Sequence, residues 1–130
     1  MPKFSKLSEQ RLNELHPELQ RLLREAIKYV DFSIDCGHRS KMEQDKAVAS
    51  GKSQTPWPTS KHNSVPSLAV DISPYPTNWK DERAFDILAG ILLGLSFSMG
   101  IQIRLGADWD GDLNTLEHSF VDRPHLELIL

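Results

Sequence analysis

The sequence has only one cysteine, Cys36, among its 130 residues. No intramolecular disulfide can form and a zinc site made of several cysteines is excluded, so any metal site must use histidine and carboxylate ligands. Long apolar runs are also missing, since the longest, from Ile87 to Met99, is shorter than the roughly 20 residues of a membrane span. The first residues lack the apolar segment of a signal peptide, which predicts synthesis in the cytoplasm without a secretion signal.

Basic residues are also fewer than acidic ones. Fifteen Lys and Arg residues against 18 Asp and Glu give a net charge of −3 at pH 7, which argues against a nucleic-acid partner. The hydrophobic fraction of 39% and the charged fraction of 25% fit a globular protein rather than a disordered one. A chain of this length predicts a single domain over residues 1–130.

Helical spacing of apolar residues predicts an early helix with Ser8 as its cap, a second beginning at Pro17, and a third from Ser40 to about Ser50. A fourth, strongly apolar helix is expected to start at Asn78 or Asp81 and to pass through Phe85, Leu88, Leu92 and Leu95. In that helix Gly90 and Gly94 are expected to permit close packing against a sheet.

Alternation of apolar and polar residues with period two predicts four strands, at residues 31–36, 67–73, 101–105 and 125–130. In the first of them Cys36 is expected to share the apolar face with Phe32 and Ile34. This pattern predicts an α+β fold, a small and mainly antiparallel sheet with helices on one face. The other face would carry polar side chains and form the floor of a cleft: Asp71, Arg104, His125 and Glu127.

Two histidines and two carboxylates suggest chemistry in that cleft. Asp71 interrupts an apolar strand, His62 precedes it in a long loop at residues 51–66, and Asp122 lies three residues before His125. Two imidazoles and one carboxylate form a normal catalytic zinc set with a fourth position for water, and a further carboxylate could accept a proton from that water. Taken singly, each of the five histidines is more often a structural residue than a ligand, and His16 is interpreted in that way.

The acidic loop, His118 and four aromatic residues can each be interpreted in two ways. The acidic loop between Asp108 and Glu117 could bind calcium, but its glycine is misplaced for an EF-hand loop, so a rigid turn or cleft wall is favoured. His118 is an alternative to one of the proposed ligands. Four aromatic residues lie in or beside loops, where they could contact a ligand or simply pack: Trp57, Tyr75, Trp79 and Trp109.

Several segments, taken together and in order, resemble peptidase family M15, which includes zinc-dependent D-Ala-D-Ala carboxypeptidases and phage L-alanyl-D-glutamate endopeptidases. The resemblance is greatest to the compact bacteriophage endolysins, and it implies the hedgehog/DD-peptidase α+β fold. The segments that carry it are Gly37–Ser40 with Glu43 and Gln44, Gly51–Ser53, Ser60–His62 with Ala69–Asp71, and Asp122–Glu127.

The resemblance implies one zinc ion held by His62, Asp71 and His125. It also implies that Asp122 transfers the proton and that Arg39 belongs to the substrate cleft, although an ordinary surface ion pair is the alternative for Arg39. Three further residues are expected to support the site: Ser60 and Gln44 through hydrogen bonds, and Glu127 by orienting His125.

One departure from the family pattern lies between the first two ligands. Family members commonly place the histidine seven residues before the aspartate, whereas here the separation is 71 − 62 = 9, and Pro66 and Ser67 stand in place of a glycine. The sequence therefore predicts a longer ligand loop.

The function implied is hydrolysis of the L-alanyl-D-glutamate bond in the peptidoglycan stem peptide, as an antimicrobial phage endolysin that lyses the host cell. The expected enzyme is a monomer without a separate cell-wall-binding domain, without membrane insertion and without a nucleic-acid partner. It would reach the wall from the host cytoplasm through a holin-type pore. Alternatives are a D-Ala-D-Ala carboxypeptidase or dipeptidase, a non-catalytic zinc-binding module, and a metal-free binding domain.

Overall fold

The fold was analysed in a computed structural model that describes residues 2–106 and 122–130. The helices of the described residues are α1 (Lys6–Leu12), α2 (Pro17–Ala26), α3 (Lys41–Ala49) and α4 (Glu82–Met99), with a 3₁₀ turn at Lys61–Asn63. The strands are β1 (Phe32–Cys36), β2 (Ala69–Pro74), β3 (Ile103–Leu105) and β4 (His125–Leu128).

The four strands form one sheet in the order β1-β2-β4-β3, and every neighbouring pair is antiparallel. The C-terminal strand β4 is therefore inserted between β2 and β3. Its register on β2 places His125 directly opposite Asp71. The predicted α+β class and the antiparallel sheet are confirmed.

The hydrophobic core lies between one face of this sheet and helices α1, α2 and α4. Every second residue of the strands and one face of each helix contribute to this core. The sheet provides Phe32, Ile34, Val70, Ile72, Leu126 and Leu128, and helices α2 and α4 provide Leu19, Leu22, Leu23, Leu88 and Leu92. Because strand side chains alternate between faces, Asp71, His125 and Glu127 leave the opposite face. The predicted division of the sheet into an apolar and a polar face is confirmed.

Local sequence signals explain most helix ends. Ser40 and Glu43 form a reciprocal capping box at the start of α3, and Asp81 caps α4 by accepting the Ala84 N–H at 3.2 Å. The imidazole of His16 caps α2 by accepting the N–H of Glu18 at 3.1 Å, so its structural interpretation is confirmed.

The predicted cap of α1 was wrong. Ser5 caps this helix by accepting the N–H of Ser8 at 3.1 Å. Ser8 is instead buried inside the helix, where its hydroxyl accepts the backbone N–H of Ile34 in β1 at 3.0 Å. The hydroxyl therefore ties α1 to the sheet.

The predicted role of the two glycines in α4 was also wrong. Gly90 and Gly94 are exposed, and a Cβ atom added to either would meet nothing within 4 Å. Leu88 and Leu92, on the other side of the helix, make the contact with the core.

The predicted end strands are shorter than expected, since β3 begins at Ile103 and β4 ends at Leu128. The acidic loop at 108–117, Trp109 and His118 lie outside the described residues. Among the residues that are described, no helix is long and apolar enough to cross a membrane.

Candidate metal centre and active site

The polar face of the sheet is centred on Asp71 in the middle of β2. Its Oδ1 lies 3.3 Å from His62 Nε2 and 3.3 Å from His125 Nδ1. The two imidazole rings meet edge to face with their centroids 5.2 Å apart. The structure thus brings together all three residues that were predicted as metal ligands.

The 3₁₀ turn at Lys61–Asn63 positions His62. Ser60 caps this turn by accepting the His62 backbone N–H at 3.2 Å, and Asn63 Oδ1 accepts the Ser60 N–H at 3.1 Å. The His62 ring is almost fully buried, and its Nδ1 lies 2.6 Å from the carbonyl oxygen of Gly37. Because a carbonyl oxygen can only accept, Nδ1 carries the proton, and Nε2 presents its lone pair toward Asp71.

The longer loop between His62 and Asp71 is anchored on the end of α1. Ser67 donates its backbone N–H to the Glu14 carbonyl and accepts the His16 N–H at its own carbonyl, both at 2.9 Å. Leu68 then donates its N–H to the Lys61 carbonyl at 3.1 Å. These bonds return the chain to the turn before β2 begins, so the nine-residue separation still brings His62 beside Asp71.

Strand β4 carries His125, and Glu127 lies against its imidazole ring. His125 Nε2 lies 2.8 Å from Glu127 Oε1, and Arg104 Nη2 donates to Glu127 Oε2 at 2.7 Å. The hydrogen bond from His125 and the contact with Arg104 outweigh the burial of Glu127 and hold the pKa of this carboxyl below its usual value. The ionised carboxylate accepts from Nε2–H, which makes Nδ1 the nitrogen that presents a lone pair toward Asp71.

When both rings are neutral, three acceptor atoms face one another: His62 Nε2, Asp71 Oδ1 and His125 Nδ1. In the described part of the chain, His62 Nε2 and Asp71 Oδ1 are buried and make no hydrogen bond. Buried acceptors that face one another repel unless a cation lies between them. Two imidazole nitrogens and a carboxylate oxygen are a donor set that fits a divalent transition metal.

Without a metal, protons supply the missing positive charge. Burial disfavours a charged imidazole, but contacts with Asp71 and Cys36 outweigh it and raise the pKa of His62 from 6.5 to about 10. Burial is likewise outweighed at His125, whose pKa is raised by Asp71 and Glu127. The same contacts with His125 and His62 hold the pKa of Asp71 well below its usual range despite its burial. The site therefore favours positive charge beside Asp71, from protons on the imidazoles or from a metal cation.

Asp122 lies beside these atoms, three residues before the start of β4. Its carboxylate belongs with Asp71 and His125 to a group whose candidate ligand atoms all lie within 4.8 Å of one another. The backbone is fixed because Asp122 N–H donates to the Gly106 carbonyl at 3.0 Å, while His125 N–H donates to the Asp122 carbonyl at 3.1 Å. Burial and the negative charge of Asp71 raise the pKa of Asp122.

Arg39 is part of the cluster and not a surface ion pair. Its side chain is 11% exposed, and its Nη2 donates to Asp71 Oδ2 at 3.1 Å. Gln44, which is fully buried, accepts from Arg39 Nη1 at 3.4 Å and donates to the carbonyl of Thr55 at 2.6 Å. Gln44 thus ties Arg39 and the 51–66 loop together.

Two participants were not foreseen. Cys36 was predicted to face the core, but its Sγ lies 3.9 Å from His62 Nδ1, on the polar side. A register shift between Ile34 and Cys36 places Cys36 opposite Asp71, and such a bulge reverses the alternation of side chains. Cys36, His62 and Asp71 form a second group whose candidate ligand atoms all lie within 4.8 Å of one another. The other unforeseen residue is Asn63, which donates to the Arg39 carbonyl at 3.2 Å.

Comparison with known proteins points in one direction. The family described as phage L-alanyl-D-glutamate peptidase matches residues 1–129. An L-alanyl-D-glutamate peptidase of Escherichia phage T5 is 33% identical over 135 aligned positions, covering 98% of each chain. Among solved structures, the L-Ala D-Glu endopeptidase ChiX of Serratia marcescens superposes with a TM-score of 0.76 at 29% identity, over 98% of this chain and 90% of that one.

Proposed function

The chain belongs to the phage L-alanyl-D-glutamate peptidase family, and from this membership we propose that it hydrolyses the amide bond between L-alanine and D-glutamate in the stem peptide of bacterial peptidoglycan. The observation that supports this most strongly is the convergence of His62 Nε2, Asp71 Oδ1 and His125 Nδ1 beside the carboxylate of Asp122. That arrangement suits metal-assisted hydrolysis of an amide.

Zinc is the ion we propose, one per chain, held by His62, Asp71 and His125. Imidazole nitrogen and carboxylate oxygen are common zinc ligands, and three protein ligands are typical of a catalytic site. A bound zinc ion would lower the pKa of water to about 7 and polarise the carbonyl of the scissile bond. Glu127 and the Gly37 carbonyl keep each imidazole in the tautomer that binding requires.

Asp122 is the proposed proton carrier. Its raised pKa lies closer to neutrality than that of an ordinary aspartate, which suits a group that must both accept and give up a proton. As general base Asp122 takes the proton of the attacking water. As general acid it delivers that proton to the amine of D-glutamate as the peptide bond breaks.

Arg39 has two proposed roles. Its bond to Asp71 Oδ2 fixes the orientation of this carboxylate and compensates its charge. The same planar guanidinium, with five N–H donors, suits the free carboxylate of the D-glutamate residue. Ser60 and Gln44 support the site indirectly, since they fix the His62 turn and the Arg39 side chain.

In the cell we propose a lysis enzyme that acts as a monomer and as one catalytic domain over residues 1–130. It would cross the host membrane through a holin-type pore and would not insert into the membrane itself. Expression in the bacterial cytoplasm should then cause lysis only when a pore-forming protein is produced together with it. Lysis without such a pore would contradict this route.

The bond that is cut can be identified by mass spectrometry of purified peptidoglycan after digestion. The proposal predicts new N-terminal D-glutamate ends, loss of activity on chelation, and recovery on addition of zinc. Release of D-alanine without these ends would assign the chain to the carboxypeptidase or dipeptidase alternative. Binding without any cleavage would assign it to the non-catalytic one.

A further inference from the structure

A cavity of about 180 Å³ lies next to the candidate metal centre. It is lined by Trp79, Glu82, Phe85, Asp122, Arg123 and Pro124. Asp122 belongs to both the cavity and the metal cluster, so a ligand in the cavity would lie beside the carboxylate of Asp122. The volume is below the roughly 300–1,000 Å³ of a complete small-molecule site, so the cavity fits one group of a larger substrate.

One wall of the cavity is an aromatic platform. The ring of Trp79 stacks on the ring of Phe85 with centroids 5.3 Å apart and an interplanar angle of 29°. Phe85 is anchored in the core by α4 and is 4% exposed, whereas Trp79 is 60% exposed. The turn before α4 holds Trp79 in place, since Asn78 Oδ1 accepts the N–H of Lys80 at 3.0 Å. A large, flat apolar surface is thus supported from behind and presented to solvent.

The charges around the cavity select against an anionic group. Among the described residues that line the cavity, Arg123 is the one basic residue, and Asp86 and Glu82 already compensate it at 3.2 and 3.4 Å. Asp122 adds a further acidic group. A carboxylate placed here would meet more negative than positive charge.

The two sides of the bond that the proposed function cuts differ in charge. On the C-terminal side stands D-glutamate with a free carboxylate. On the N-terminal side stands L-alanine, attached through a lactyl group to a neutral N-acetylated sugar. The acidic rim and the aromatic wall both suit the sugar side, since the C–H face of a sugar ring packs well on an aromatic face.

We propose that this cavity is the subsite for the muramyl sugar, with Trp79 as its stacking platform. The inference rests on the proposed function and adds that the enzyme recognises the sugar at the N-terminal end of the stem peptide. The stem peptide would then enter with its sugar against Trp79 and its D-glutamate carboxylate on the side of Arg39.

The test compares two substrates with the same stem peptide, one carrying N-acetylmuramic acid and one without the sugar. Trp79→Ala should lower kcat/KM on the sugar-bearing substrate by about tenfold through a higher KM, the size expected for the loss of one stacking contact. On the sugar-free peptide the variant should match the wild type.

Trp79→Phe, which keeps an aromatic face, should retain most of the selectivity. Phe97→Ala removes a similarly exposed aromatic residue of α4 and should leave both activities unchanged.

A second measurement does not depend on the larger substrate. The amide of N-acetylmuramic acid, whose lactyl carboxyl is neutral as in the substrate, should inhibit cleavage of the sugar-free peptide by the wild type and should inhibit Trp79→Ala far less. Equal losses on both substrates, or no loss on either, would overturn the subsite. If the wild type, loaded with zinc, cuts neither peptide, the proposed function itself fails, and that result is distinguishable because it does not involve the variant.

Discussion

The position of one proton on each imidazole decides what this site can bind. Gly37 fixes the proton of His62 on Nδ1, and Glu127 fixes that of His125 on Nε2. When both rings are neutral they use opposite nitrogens, yet both turn a lone pair toward the same oxygen of Asp71. A backbone carbonyl and a carboxylate achieve the same result because each can only accept a hydrogen bond.

Removal of the Glu127 carboxylate should weaken metal binding without removing a ligand. In Glu127→Ala the ring of His125 loses the acceptor that fixes its tautomer, so zinc affinity should fall by about 10–100-fold. Competition with a chromophoric chelator measures this affinity. Glu127→Gln keeps an acceptor oxygen and should recover part of the loss.

The matched control is Glu18→Ala, which removes an exposed carboxylate that pairs with Arg21 on α2. It should leave zinc affinity unchanged. If Glu127→Ala binds zinc as tightly as the control does, then Glu127 does not position His125.

Among the structural elements, the residue that follows β3, Gly106, holds the chain between Asp122 and His125 in place. Gly106 donates its N–H to the His125 carbonyl at 2.8 Å and accepts the N–H of Asp122 at 3.0 Å. A Cβ atom at this position would overlap the carbonyl oxygen of Asp122 and would approach His125 Cβ to 3.0 Å. A glycine is therefore needed here for close approach of two backbone segments.

Gly106→Ala should accordingly displace Asp122 and His125 together. We expect a loss of about 1–3 kcal/mol in the free energy of unfolding, as in other overpacked sites, and a fall in turnover. Gly90→Ala is the matched control, because its added methyl group meets nothing and should raise stability by up to about 1 kcal/mol. Denaturant unfolding and peptide hydrolysis check both variants. Wild-type behaviour of Gly106→Ala would contradict the close approach.

Much of this arrangement could be predicted because strand periodicity is local. Alternation alone assigns Asp71, His125 and Glu127 to the polar face. The pairing of Asp71 with His125 is different, since it depends on the insertion of β4 between β2 and β3, which no local pattern encodes. The resemblance to a known family supplied that link.

The wrong predictions have physical causes as well. Cys36 was misplaced because a bulge after Ile34 breaks the alternation, and bulges leave little trace in the sequence. Ser5 and Ser8 are both suitable caps, and only the position of β1 decides between them. The exposure of Gly90 could have been foreseen, because it lies off the helical face that carries Leu88 and Leu92.

For the molecule as a whole, metal binding at the polar face is expected to displace protons. His62 is protonated at neutral pH in the metal-free chain, since its pKa is about 10, and it must be neutral to bind a metal. Zinc binding at pH 7.5 should therefore release at least about one proton per ion, and the contribution of His62 should vanish as the pH rises past its pKa. Calorimetry in buffers of different ionisation enthalpy measures this number. Binding with no proton release at pH 7.5 would contradict the protonated cluster.

The same shift makes the stability of the metal-free chain depend on pH. The folded pKa of His62 lies above its ordinary value of 6.5, so its stabilising contribution is complete below 6.5 and is lost as the pH rises toward about 10. The zinc-loaded chain lacks this dependence because its His62 is already neutral. Denaturant midpoints over pH 6–10 should thus fall for the metal-free protein and should not show this fall for the loaded one.

In the proposed mechanism His62, Asp71 and His125 hold the metal, and Asp122 transfers the proton. The most direct test measures zinc content and peptide hydrolysis on one preparation of Asp122→Asn, beside Asp45→Asn, which alters an exposed aspartate of α3. One zinc per chain is expected in both variants, with turnover lowered by about 10²–10⁴-fold in Asp122→Asn alone. Normal turnover in Asp122→Asn, or loss of its zinc, would contradict this mechanism.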